Sequence, residues 1–335
     1  MYSQKLVLVR NGLFNIMQDE VLAKKSKDYI KVQPVRVGIC SSDIPRAFLN
    51  KSYYHPIVLG HEFCVSVIDD PKGEFIKDQL CAVFPLLPCF ECSSCEMKKF
   101  NTCKNYSYYG SRIDGGFQSL MYVKRWNLLP LPKNIDLTSA CLIEPIAVCV
   151  HAAKKIKSEK NILIYGGGFL SQIIAKLLIK RGKNITCIDK NDYKKKFFGR
   201  HINFITNKNY LEESSFDIVI EACGAENVLS KCINYVKNGG VILQLANPDQ
   251  KARLESSDLS MIMRKEIRLI GTWNSDFRPD NAKECDWTEA ITLLKNKQLE
   301  VKDLISHKNE LINAPNLFKS IFERKSQNSK LKEFN

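Results

Sequence analysis

Apolar positions along this chain follow two rhythms. Up to about residue 150 they come in short runs such as Leu6-Val7-Leu8-Val9, broken at short intervals by Gly, Pro and Asn. That rhythm predicts short strands and loops. Past 150 the runs lengthen and recur. Asn161-Ile162-Leu163-Ile164-Tyr165 leads into Gly166-Gly167-Gly168, and apolar side chains then stand at Leu170, Ile173, Ile174, Leu177 and Leu178. An unbroken apolar run is the mark of a strand buried on both faces, and spacings of three and four mark one face of a helix. Runs at 184–189, 217–221, 241–245 and 267–271 predict further strands of the same kind. Strands alternating with helices predict a doubly wound parallel sheet over 151–285. From 286 the pattern is helical again and ends in a polar, lysine-rich tail.

Composition narrows the class. A chain of 335 residues has room for two domains, and a hydrophobic share of 44% rules out global disorder. No run reaches the roughly 18 apolar residues of a membrane helix, so no membrane partner is expected. The first residues, Met1-Tyr2-Ser3-Gln4-Lys5-Leu6-Val7, lack a signal pattern, which makes a cytoplasmic protein the expectation. In that setting the 13 cysteines read as thiols and metal ligands, not as a disulfide framework. The net charge of +14 reads either as a lysine-rich surface or as attraction for an anionic substrate or cofactor. The lysines form no tract interleaved with aromatics, so nucleic acid is not an expected partner.

Four of the thiols, Cys89, Cys92, Cys95 and Cys103, fall within fifteen residues. Two-residue gaps let neighbouring sulfurs face one ion, and the longer gap lets the fourth close the far side. A tetrahedral set of thiolates suits Zn²⁺ and leaves no open position, so this site is expected to be structural. The spacing differs from common iron–sulfur runs. Cys40, the pair His61-Glu62, and Glu144 each offer further ligands. A catalytic zinc needs three protein ligands and a vacancy. Singly, each of these residues reads equally as core filling or hydrogen-bonded polar structure.

The glycine triplet lies between a strand and a helix, where Gly166 and Gly168 let the backbone approach a pyrophosphate and Phe169-Leu170 open the helix. Ser171 stands where the dinucleotide fingerprint has its last glycine. Asp189 ends the next strand, placed for the ribose hydroxyls, and its charge favours NAD over NADP. Lys190 beside it is the competing signal for NADP.

These segments resemble the zinc-containing medium-chain dehydrogenase/reductase superfamily, and within it the sorbitol dehydrogenase and galactitol-1-phosphate 5-dehydrogenase branch. The similarity is carried by 38–46, 55–62, 85–90, 110–117, 143–148 and 264–266. It implies a GroES-like, mainly β catalytic domain (1–150), a Rossmann domain (151–285) and a return segment (286–335) completing the first. It implies two zinc ions per chain, with Cys40, His61 and Glu144 holding the catalytic one and Glu62 as an alternate ligand. Ser42 matches the position of a proton-relay hydroxyl, although it could equally cap a following helix. Arg46 and Arg112 lie in segments matching polyol-phosphate members, and a guanidinium suits a phosphate. Ion pairs with Asp43 or Asp114 are the other reading of the two arginines. The expected function is hydride transfer between NAD, or NADP, and a polyol phosphate or ketose phosphate, with an unphosphorylated polyol or secondary alcohol as the alternative. A homodimer or homotetramer is implied by resemblance alone. Non-catalytic relatives would lack Cys40, His61 or Glu144. Trp273 and Asn274 are expected to pack, with shaping of the cofactor or of a subunit contact as the alternative.

Overall fold

The computed structural model describes residues 2–333, except 23, 25, 249–252, 282, 284 and 324–331. Most of the lysine-rich tail lies outside the described residues. The chain forms two compact units, one of Met1–Ala147 with Asp276–Asn335 and the other of Val148–Ser275.

The first unit is built on antiparallel strands. A three-stranded sheet runs Leu13–Glu20, Tyr2–Arg10, Ile57–Val58. A second sheet runs Leu128–Pro130, Leu80–Val83, Glu62–Asp69, Tyr29–Gly38, with Met121–Lys124 also on Tyr29–Gly38. Leu6, Leu8, Val37 and Phe63 of these strands, with Ile39 and Phe117 beside them, share one core with Leu317 and Phe318 of the helix Ala314–Phe322. That burial brings the end of the chain back into this unit. The return begins at Asp276, ten residues ahead of the change of rhythm at 286. Phe277 stacks on Phe84 at 4.4 Å, and Trp287 meets both rings edge-on, so the aromatic packing starts before the helical pattern does.

The second unit is a six-stranded, wholly parallel sheet in the order Asn203–Ile205, Asn184–Ile188, Asn161–Tyr165, Phe216–Glu221, Val236–Gln244, Arg268–Gly271. The order reverses direction next to Asn161–Tyr165. In open parallel sheets such a reversal opens a crevice at the carboxyl ends of the strands. The helix Phe169–Lys180 follows that central strand and buries Ile173, Ile174, Leu177 and Leu178. Among the described residues no helix is long and apolar enough to cross a membrane.

Candidate active site

The strand register creates the first cluster. Tyr29–Gly38 and Glu62–Asp69 pair antiparallel, and the pairing ends with Gly38 opposite Glu62. Cys40 follows two residues past one strand end, and His61 immediately precedes the other. Ligand atoms of Cys40, His61 and Glu62 consequently lie within 4.8 Å of one another. Behind His61 the backbone is tightly packed. A Cβ on Gly115 would fall 2.2 Å from the Gly60 carbonyl oxygen, so the segment 110–116 lies flat against the turn that carries the histidine.

Asp43, fully buried, braces the cluster. Its Oδ2 accepts from the Cys40 N–H at 3.0 Å, and its Oδ1 lies 3.4 Å from His61 Nδ1. Burial alone would push the His61 pKa down, but the charges of Asp43 and Cys40 outweigh it and raise it well above the usual value. With Nδ1 turned to Asp43, the other ring nitrogen is left for an ion.

Glu144 is buried in the first turn of the helix Ile143–Lys154 and is not part of the three-residue cluster. Its Oε1 accepts from the Tyr108 hydroxyl at 3.4 Å, and the Tyr108 ring meets His61 edge-on at 5.8 Å. Tyr108 therefore links the fourth sequence-predicted ligand to the other three. Burial pushes its phenol up, reinforced by Glu144 and Cys40 and opposed by Arg46. Sequence reasoning passed over Tyr108 because it sits in an unremarkable aromatic run, Tyr106 to Tyr109.

Ser42 does not cap the helix Asp43–Phe48 through its side chain. Its backbone is already helical there, which turns the hydroxyl away from the exposed N–H groups of the first turn. Instead the Arg46 Nη1 donates to the Ser42 hydroxyl at 2.9 Å and to its carbonyl at 2.8 Å, and stands 3.6 Å from Asp43. Arg112 has a different setting. Its guanidinium lies over Tyr106 at 4.0 Å and Tyr53 at 4.8 Å, while Asp114 accepts from the Val58 N–H. Tyr106 in turn touches Tyr108. Arg112 thus lies against the Tyr106–Tyr108 wall, whereas Arg46 stands on the Ser42–Asp43 side.

In the cysteine lobe, sulfur separations are 3.4 Å for Cys89–Cys103, 3.6 Å for Cys92–Cys95, and 3.9 Å for Cys89–Cys95 and Cys92–Cys103. A disulfide needs about 2.05 Å, whereas a tetrahedron with Zn–S bonds of about 2.3 Å has edges of about 3.8 Å. Backbone N–H groups of Lys104 and Cys95 hold the Cys92 thiol down at about 6, and burial pushes Cys95 up to about 12. The residues present fit zinc, with a closed sulfur set in the lobe and a mixed sulfur, nitrogen and carboxylate set at Cys40.

In the second unit Gly166 has φ +105°, and a Cβ there would lie 2.7 Å from the Cys223 Cβ, so only glycine fits the turn. Gly168 opens the helix Phe169–Lys180, and a Cβ there would meet nothing within 4 Å. Ser171 is fully buried in that helix. Gln172, also buried, donates to the Gly167 carbonyl at 3.2 Å and holds the turn from inside. Asp189 follows the strand Asn184–Ile188 and accepts from the Gly167 N–H at 2.7 Å. Lys190 is exposed. The turn, the open side of Gly168 and the acid at the neighbouring strand end fit a dinucleotide.

A GroES-like unit with a three-ligand cluster and a closed cysteine lobe, joined to a parallel nucleotide-fold sheet, defines a zinc-type dehydrogenase. Comparison with known proteins agrees. Residues 26–133 match the alcohol dehydrogenase GroES-like domain. The chain is 30% identical over 316 residues to galactitol 1-phosphate 5-dehydrogenase of Escherichia coli (strain K12), covering 89% of this chain and 90% of that one. It is 24% identical to sorbitol dehydrogenase of Halalkalibacterium halodurans, over 87% and 88% of the two chains. The crystal structure of galactitol-1-phosphate dehydrogenase from Escherichia coli superposes with a TM-score of 0.90 at 27% identity, covering 99% of this chain and 100% of that one. The chain belongs to the zinc-type medium-chain dehydrogenase/reductase superfamily and is an oxidoreductase of its alcohol and polyol dehydrogenase kind.

Proposed function

We propose that the protein interconverts a sugar-alcohol phosphate and the corresponding ketose phosphate, of the galactitol 1-phosphate or ribitol 5-phosphate type, with NAD as hydride partner. The observation that carries this reading is a pair of arginines each one or two side chains from the Cys40–His61–Glu62 cluster, Arg46 through Asp43 and Arg112 through Tyr106 and Tyr108. Arg112 is stacked between two tyrosines, which fixes the plane of its donors for a phosphate and lowers the entropy lost on binding. The similarity to galactitol 1-phosphate 5-dehydrogenase supports the same class.

In this reading Cys40, His61 and Glu144 hold the catalytic zinc, with Glu62 as the alternate ligand, and Cys89, Cys92, Cys95 and Cys103 hold the structural one. Zinc at the first site supplies Lewis acidity, which lowers a hydroxyl pKa or polarises a carbonyl. Ser42 would accept the substrate hydroxyl proton as the carbonyl forms and release its own to solvent, to which it is partly exposed. Because its oxygen accepts from Arg46, its own proton points away from the guanidinium and can be passed on. Glu144 in place of a thiolate keeps the set harder, which suits adjacent polyol oxygens. Gly166, Gly168, Phe169 and Leu170 shape the pyrophosphate turn, and Asp189 accepts from the ribose. Hydride chemistry belongs to the nicotinamide.

One observation favours an unphosphorylated polyol as a second reading. Arg46 is already engaged by Ser42 and Asp43, so part of its capacity is used within the protein. A screen at 340 nm with phosphorylated and free polyols and ketoses separates the two. Activity confined to free polyols would remove the phosphate reading. Arg112→Ala should raise KM for a phosphorylated substrate about tenfold or more and leave a free polyol unaffected. Metal analysis should give two zinc per chain, and one in Cys92→Ser.

We place the reaction in the cytoplasm, supported by 13 free thiols. A homodimer or homotetramer through the edge strand Arg268–Gly271 is supported by half-exposed Leu269 and by half-exposed Trp273. Light scattering tests the stoichiometry.

A further inference from the structure

Asp189 would favour NAD by offering a bare carboxylate to the ribose 2′-hydroxyl and by repelling a 2′-phosphate. Its surroundings are not those of a bare carboxylate. Oδ2 is shared between the Gly167 N–H and the Lys194 ammonium, each at 2.7 Å, and Oδ1 accepts from the Asn191 N–H at 2.9 Å. The Asp189 side chain is 9% exposed and that of Lys194 25%, so the ion pair is largely shielded. The short 3-10 helix Asp192–Phe197 makes this contact possible by folding Lys194 back onto the strand end.

The same segment is strongly basic. Lys190, Lys194, Lys195, Lys196 and Arg200 stand against Asp189 and Asp192. Lys196 is taken up by the Tyr193 ring at 3.7 Å, and Lys190 and Lys195 are exposed. Lys194 alone of these is bonded to the acid that would otherwise repel a second phosphate.

We propose that Lys194 is a specificity-determining residue that neutralises Asp189 and lets the strand end accept a 2′-phosphorylated dinucleotide as well as NAD. The proposal rests on the dinucleotide reading above. For NAD, the carboxylate serves as acceptor to the 2′-hydroxyl. For NADP, the ammonium supplies the charge-assisted hydrogen bond that a phosphate needs, and the pair carries no net negative charge toward it. Lys194, not Lys190, is then the cation that decides the cofactor. Lys190 follows Asp189 directly but is exposed, and its ammonium is not the one bonded to the acid.

The test is direct binding of NAD and NADP, measured by calorimetry on the zinc-loaded protein without substrate. Native protein should bind both. Lys194→Ala should weaken NADP by about tenfold or more and change NAD by less than about threefold. Lys194→Arg should retain NADP, and Asp189→Asn should weaken NAD more than NADP. If native protein binds NAD but not NADP, or if Lys194→Ala weakens both equally, the proposal is overturned while the dinucleotide reading stands. If NAD itself does not bind, that reading falls first and takes the proposal with it.

Discussion

Asp43 touches two candidate zinc ligands at once, bonding the Cys40 backbone N–H at 3.0 Å and facing His61 Nδ1 at 3.4 Å. A buried carboxylate behind a ligating histidine fixes the ring and its tautomer, and loss of such a partner costs about 10–100-fold in metal affinity. Asp43→Asn keeps the shape and removes the charge. Chelator competition should show the Cys40 site losing zinc about tenfold more readily, with the cysteine lobe unchanged. Equal retention by both proteins would mean that Asp43 only braces the loop.

Tyr108 offers a second test of the same principle at Glu144. Tyr108→Phe removes the hydroxyl that the carboxylate accepts from and leaves the ring against His61. Turnover should fall about tenfold while thermal unfolding stays near that of the native protein. An unchanged kcat would show that Glu144 needs no support from the phenol.

Gly115 has no room for a side chain. A Cβ would sit 2.2 Å from the Gly60 carbonyl oxygen and 2.6 Å from the Gly110 Cα, and backbone cannot rotate away as a flexible side chain can. Gly115→Ala should destabilise the first unit by about 3 kcal/mol, the range of an overpacked core. Urea unfolding followed by Trp126 and Trp287 fluorescence measures it.

Asp70 and Arg125 predict an acid-side loss of stability. The Arg125 guanidinium binds both oxygens of Asp70, and its hydrogen bonds hold that carboxyl well below its ordinary value of 3.8. A carboxyl depressed on folding stabilises the folded state above its unfolded pKa, and the contribution drains away as pH falls toward the folded value. Asp70→Asn should cost about 2 kcal/mol at pH 7. The gap to the native protein should narrow measurably by about pH 3, in paired urea titrations.

Much of this molecule is legible without coordinates where neighbours in sequence do the work. The runs at 161–165, 184–189 and 217–221 announce buried parallel strands because burial on both faces leaves no place for polar alternation. The cysteine lobe is legible because all four sulfurs lie within fifteen residues, so local chain geometry alone can bring them together. The open site is a different case. Cys40, His61 and Glu144 are separated by 21 to 104 residues, and they became a set in the sequence only through resemblance to a family.

The tertiary structure decided what holds those residues. Only the register that ends with Gly38 opposite Glu62 brings Cys40 to His61. Only folding carries Tyr108 to Glu144, Arg112 between its two tyrosines, and Phe277 onto Phe84. Lys194 shows the limit most clearly. It is five residues from Asp189, and nothing in the pattern of residue types separates it from Lys190, Lys195 or Lys196. Residue identity sets which charges are present, whereas a contact of 2.7 Å depends on how a short turn is wound against a strand end.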